Sequence, residues 1–198
     1  MSCARRIPAM LAIWLLGGLS IAAADKMLPD STVADWSAVV SEVTLDDKSV
    51  LFEYTARTFS GTVEGAMLAI SFVPRFNCDQ LVSVRLPVEF QPETTDVVLE
   101  FLVGDDKRDF VGLVDDSEDF LMFSVGANAE QIGNLRKALD TESRATVRVT
   151  PVGDNALTGS GVAFSFSLLG SRLAALAAQD NCLSHVPLAY NPNQAQAQ

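Results

Sequence analysis

The sequence predicts an α+β protein that is mostly antiparallel β, meander or sandwich-like, with two short helices in its C-terminal half. Two observations predict it. Between Trp36 and Val125, short runs of β-branched and aromatic residues alternate partially with polar ones and are separated by Gly, Pro and Asp turns. After Gly126 the apolar residues switch to helical spacing, and they do so again near the end of the chain.

The strands are predicted at Trp36 to Val43, Ser49 to Arg57, Ala66 to Val73 and Leu81 to Val88. In the second, Val50, Phe52 and Tyr54 share one face and Leu51, Glu53 and Thr55 the other. Gly61 and Gly65 punctuate the link to the third strand, which Pro74 ends. Val97 to Val103 and Arg108 to Val114 flank a turn at Gly104-Asp105-Asp106-Lys107. A second turn, Asp115-Asp116-Ser117-Glu118, leads into Phe120 to Val125. Together these strands read as an antiparallel meander. Asn128 caps a helix in which Ile132, Leu135 and Leu139 recur on one face. Strands at Ala145 to Val152 and Gly161 to Leu168 then precede a last helix, Ser171 to Asp180. Ser171 is its expected cap, Leu173, Leu176 and Ala177 its expected buried face, and Cys182 is placed just past its end.

The first residues have a different character. Arg5 and Arg6 precede an apolar run from Met10 to Ile21 and the small residues Ala22-Ala23-Ala24. Charge, apolar centre and an A-x-A end are the order of a secretory signal peptide, with cleavage expected after Ala24. The run holds Gly17 and Gly18 and is shorter than the roughly 20 apolar residues of a spanning helix. The domain layout is therefore a signal peptide at 1–24, one globular β-rich domain at 25–185, and a tail at 186–198. With Asn191-Pro192-Asn193 and Gln-Ala repeats, that tail has nothing to bury and is expected to be disordered.

The 198-residue chain carries a net charge of −11. Loss of residues 1–24 removes two arginines and no acid, which leaves 12 basic against 25 acidic residues, or −13. A nucleic-acid partner is not expected, because phosphate contacts need clustered Lys and Arg, and anionic membrane surfaces are disfavoured on the same ground. No later segment is apolar for long enough to span a bilayer, so no stable membrane span is expected after cleavage. Cys3 leaves with the signal peptide, and Cys78 and Cys182 remain. Two cysteines in an oxidising compartment, far apart in sequence and outside any metal or redox spacing, are expected to form a disulfide.

No residue is assigned a catalytic, cofactor-binding or metal-ligating role, and no cofactor is expected. His185, the only histidine, is the residue that a Ser-His-Asp or Cys-His mechanism would need, but its Pro-flanked position reads as a solvated tail residue. Gly159-Ser160-Gly161 lacks the spacing of a nucleophile elbow and reads as a turn. Asp105, Asp106 and Asp109, then Asp115, Asp116, Glu118 and Asp119, contain pairs that could serve calcium or glycosidase chemistry. Without calcium-loop spacing, they read as two solvated hairpin tips. Phe59, Phe76, Phe90, Phe101, Phe110, Phe120, Phe123, Phe164 and Phe166 fall mostly at strand spacing and read as core rather than as a ligand pocket. Arg75, Arg85 and Arg108 are too scattered to form an anion site.

The C-terminal half resembles the type VI secretion-associated VasI/TagO-like family of exported proteins. The matching features are the helix Ile132 to Leu139, the strand Ala145-Thr146-Val147-Arg148-Val149-Thr150-Pro151, and Phe164-Ser165-Phe166-Ser167-Leu168-Leu169-Gly170 followed by a helix and Cys182. Cys78, between two strands, fits the same pattern. The resemblance spans roughly Val50 to Cys182. Family members usually carry an N-terminal cysteine pair and an R-L-x-C-Y-D segment, and Asp25 to Trp36 has neither. A looser likeness to the invasion-associated locus B family gives nearly the same fold. The resemblance implies a noncatalytic periplasmic accessory or binding protein.

The expectation is thus an exported, periplasmic or secreted interaction protein whose partner is an envelope or secretion-system protein. The alternatives are a binder of a small ligand or glycan and an enzyme using a carboxylate pair. Two convergent acids with raised pKa would favour the enzyme, an enclosed Phe-lined cavity the ligand binder, and an apolar patch the protein partner.

Overall fold

A computed structural model describes residues 26–44, 50–87, 97–116, 120–151 and 162–186. The predicted signal peptide, most of the predicted tail, Gly159-Ser160-Gly161, Glu118, Asp119 and Phe90 lie outside them. The fold is α+β, a largely antiparallel sheet with two helices in the C-terminal half. Among the described residues ten strands form one sheet: β1 (Lys26–Val33), β2 (Trp36–Thr44), β3 (Val50–Phe59), β4 (Met67–Phe72), β5 (Gln80–Pro87), β6 (Val97–Val103), β7 (Asp106–Asp116), β8 (Phe120–Gly126), β9 (Arg144–Pro151) and β10 (Val162–Ser167). Their spatial order is β1-β2-β3-β4-β5-β8-β7-β6-β9-β10, and every pairing is antiparallel.

The first five strands are a meander, as the alternation implies, but the connection after β5 passes two positions along the sheet. β5 pairs with β8, and β6 then pairs with both β7 and β9. Alternation fixes which face each strand buries without fixing which strand is its neighbour, so this crossover has no local signature. β7 also begins two residues earlier than expected and continues through Asp115 and Asp116, which pair with Met122 and Leu121. Those two acids extend the strand rather than forming the predicted turn. β1 has no counterpart in the sequence reading, since its alternation is interrupted by Pro29 and its register against β2 shifts between Met27 and Thr32.

One apolar cluster fills the interior. Val97, Leu99, Phe101 and Val103 from β6 meet Ala145, Val147 and Val149 from β9 and Phe164 and Phe166 from β10. Of the nine phenylalanines singled out above, Phe101, Phe110, Phe123, Phe164 and Phe166 are buried, whereas Phe59 and Phe76 are exposed. The free edge of β10 does not end in solvent. Ser60 forms a bridge to Phe166, Trp36 Nε1 donates to the Ser167 carbonyl at 2.8 Å, and Asp35 N donates to the Leu169 carbonyl at 3.2 Å. These bonds latch the last strand onto the β1–β2 turn and the β3–β4 link, so the sheet curls until its two halves meet, and an exposed ladder edge is covered.

Helix α1 (Ala129–Thr141) starts at a full capping box. Asn128 Oδ1 accepts from Gln131 N at 2.9 Å, and Gln131 Oε1 accepts from Asn128 N at 3.1 Å. It buries Ile132, Leu135 and Leu139, as the spacing predicts. Helix α2 (Ser171–His185) lies against β1 to β4 and touches α1. Gly170, not Ser171, is its N-cap, and the Ser171 hydroxyl is buried, donating to the Leu139 carbonyl at 3.0 Å. Cys182 sits inside the helix, its Sγ 2.04 Å from that of Cys78 at disulfide distance, which joins α2 to the β4–β5 connection across 104 residues of sequence. Among the described residues no helix is long and apolar enough to cross a membrane.

Candidate functional site

Helix α2 has two contrasting faces. Ser171, Ala174, Ala175, Ala178 and Cys182 point inward and are essentially inaccessible. They follow at steps of three, one, three and four residues, the phase of one helix face. These small side chains join Trp36, Tyr54 and Phe72 of β2 to β4 in one buried cluster, and they let the helix backbone pack close to the sheet. The leucines are turned out as a consequence. Leu173, Leu176 and Leu183 are 59%, 41% and 50% exposed, and Leu169, just before the cap, is 57% exposed. This corrects the sequence expectation that Leu173 and Leu176 are buried. At 3.6 residues per turn, Leu173, Leu176 and Leu183 fall within about 80° of arc, an apolar stripe interrupted by Asp180 between Leu176 and Leu183.

His185 is likewise not in a tail. It closes the last turn of α2, with Nδ1 2.9 Å from the Asn181 carbonyl oxygen and 3.0 Å from Ser184 Oγ. Its ring lies 5.4 Å from that of Tyr54 and 6.4 Å from that of Phe52. Together with Lys26, Leu28, Val40, Glu42 and Asn181 these rings line an open cleft of about 510 Å³. Burial pushes the Tyr54 phenol above its ordinary pKa, so it stays protonated at neutral pH. The Asn181 side chain is engaged by its own helix, donating to the Ala177 carbonyl at 2.7 Å. The cleft therefore offers aromatic faces to stack against and a mixed polar rim; Ser184 Oγ lies 3.0 Å from His185 Nδ1, but its hydroxyl donates to the Asn181 carbonyl at 2.7 Å, a contact within the last helical turn.

A second, smaller groove of about 380 Å³ follows the seam of the sheet, lined by Asp35, Thr58, Phe59, Gly61, Arg144, Ser165 and Ser167. Its polar groups satisfy one another. Ser167 Oγ donates to Asp35 Oδ2 at 2.5 Å, Thr58 Oγ1 to the Asp35 carbonyl at 2.8 Å, and Arg144 Nη1 to Ser165 Oγ at 3.0 Å. Arg57 stands 5.8 Å over the exposed Phe59 ring, a cation–π contact.

The acids of the β6–β7 hairpin are spread along a charge ladder. Glu100 meets Lys107 at 2.5 Å and Arg148 at 3.5 Å, Lys107 also approaches Asp109 at 3.8 Å, and Asp106 pairs with Arg108 at 3.0 Å. The Lys107 ammonium holds the Glu100 carboxyl below its ordinary pKa, and Glu100 raises Lys107 in turn. A carboxyl shifted downward keeps its charge and does not deliver a proton near neutrality. Arg85 and Arg108 lie on separate strands and Arg75 on the 3₁₀ turn Pro74–Phe76, so these three do not converge. Among the described residues no three His, Cys, Asp or Glu side chains group to hold a metal ion.

In comparison with known proteins, no family model matches the chain, no curated protein matches it, and no solved structure matches its fold.

Proposed function

We propose that this chain is an exported, noncatalytic interaction or accessory protein of the bacterial envelope, acting in the periplasm through protein–protein contact on the outer face of α2. The observation that carries the reading is the leucine stripe. Completing the burial of three half-exposed leucines would contribute about 2 to 4 kcal/mol to association, and a helix held by its alanine face and a disulfide presents them without an ordering cost. An oxidised cysteine pair suits an extracytoplasmic compartment, and the resemblance to secretion-associated exported proteins supplies the partner class, an envelope or secretion-system protein.

The test is complementation of a deletion strain. Leu173→Asp/Leu176→Asp should keep the thermal midpoint within about 2 °C, because both side chains are already exposed, and should fail to restore the deletion phenotype. His185→Ala, Asp105→Asn and Asp106→Asn should each complement. If Asp105→Asn or Asp106→Asn fails while folded, or His185→Ala fails while Phe52→Ala complements, and the leucine variant succeeds, a chemical or metal role replaces the binding role. A second reading, a small-ligand binder, is favoured by the aromatic cleft at Phe52, Tyr54 and His185. It predicts instead that Phe52→Ala loses complementation while the leucine variant retains it.

A further inference from the structure

The outer face of α2 has a symmetry that the interaction reading does not require. Counting outward from Leu176, Arg172 and Asp180 stand four residues away on either side, and Leu169 and Leu183 seven residues away. All five residues are exposed. Among the described residues neither Arg172 nor Asp180 has an ion-pair partner. Arg172 also lies beside a like charge. Arg136, paired with Asp140, has its pKa lowered to about 10, first by its own burial and then by Arg172. The two ends of the face thus carry opposite charges, Arg172 and Asp180, without an ion-pair partner among the described residues.

A surface that becomes complementary to itself on a half-turn is the property of an isologous two-fold interface. We infer that the partner seated on the leucine stripe is a second copy of this chain, the two α2 helices crossing antiparallel at Leu176. Each residue then faces the one equally far on the other side of 176. Leu176 meets Leu176, Leu173 meets Gln179, and Arg172 meets Asp180 twice, once at each end. The inference rests on the reading of α2 as a protein-docking face, for which a second copy and an envelope partner then compete. A helix pair of this length, about 22 Å at 1.5 Å per residue, falls short of the roughly 1,200 Å² buried by stable complexes, so the dimer is weak and concentration-dependent.

The experiment is sedimentation equilibrium of the disulfide-bonded chain lacking residues 1–24, from about 1 μM to about 1 mM, the range in which so small an interface dissociates. Wild type should pass from monomer to dimer mass and no further. Arg172→Asp and Asp180→Arg, each alone, place like charges opposite one another at both ends and should weaken self-association about tenfold or more. An equimolar mixture of these two variants should associate as wild type does, because both cross-pairs are then opposite in sign. Leu176→Asp should be monomeric throughout. A wild type that stays monomeric, a Leu176→Asp variant that still dimerises, or a mixture that fails to recover association overturns the two-fold pairing. Should wild type be monomeric while Leu173→Asp/Leu176→Asp still fails to complement, the face binds a different protein and the interaction reading stands. If that variant complements, the interaction reading falls with the dimer.

Discussion

Replacing Gly170 with alanine is expected to destabilise the protein by about 3 to 5 kcal/mol, a large part of the roughly 5 to 15 kcal/mol that holds a domain folded. Two effects add. Gly170 caps α2 with φ at +95°, a conformation that costs any other residue about 1 to 3 kcal/mol. A Cβ built there would also lie 2.0 Å from the Val33 carbonyl oxygen and 2.9 Å from its carbon. Neither atom can swing aside as a flexible side chain would, because Val33 is the last residue of β1 and pairs with Trp36 across the β1–β2 turn. The cap or the turn must shift, and with it the latch from Asp35 to Leu169. Denaturant titration checks this. Gly61→Ala, where a Cβ would meet nothing within 4 Å, should stay within about 0.5 kcal/mol of wild type.

Loss of the Cys78–Cys182 link should be the other large effect. Both side chains are buried and the link spans 104 residues, so the double variant Cys78→Ala/Cys182→Ala should lose about 2 to 5 kcal/mol. For a chain of this size that lowers the thermal midpoint by about 5 to 15 °C. Alanine is the appropriate replacement, since serine would add an unpaired hydroxyl to the core. Reduction of the wild type should give a similar shift, with hydrogen exchange rising first in the last turns of α2. A midpoint unchanged in both experiments would contradict the bond.

The strands from β2 onward were legible because alternation is a local signal, whereas β1, interrupted by Pro29, was not. The predicted Val97 to Val103 coincides with β6, and Asn128 caps α1 as expected, through an interaction that involves only residues 128 and 131. What was not legible depended on information from elsewhere in the chain. The pairing of β5 with β8 is decided by how the whole sheet closes. The inward face of α2 was misassigned because the largest apolar residues were sent to the core. The better signal was Cys182. A helical cysteine that bonds to Cys78 must face inward, and stepping back from it by four, seven, eight and eleven residues lands on Ala178, Ala175, Ala174 and Ser171. The small-residue face is therefore in phase with the cysteine, and the leucines are not. His185 was assigned to a tail because Pro187 follows it, yet a proline two residues on leaves His185 free to be helical, and the helix ends at His185 with Val186 as its cap.

The central claim, that the outward leucines of α2 are where this protein meets another, is tested most directly in the living host. A photo-crosslinking amino acid would be placed at position 176, and in a second strain at position 130, which is exposed on α1. Illumination should give a discrete higher-mass product from position 176, with none from position 130. A band at twice the monomer mass would identify a second copy of the chain, and another mass a different protein. No discrete product from position 176 in a folded, disulfide-bonded chain at native expression would contradict the account.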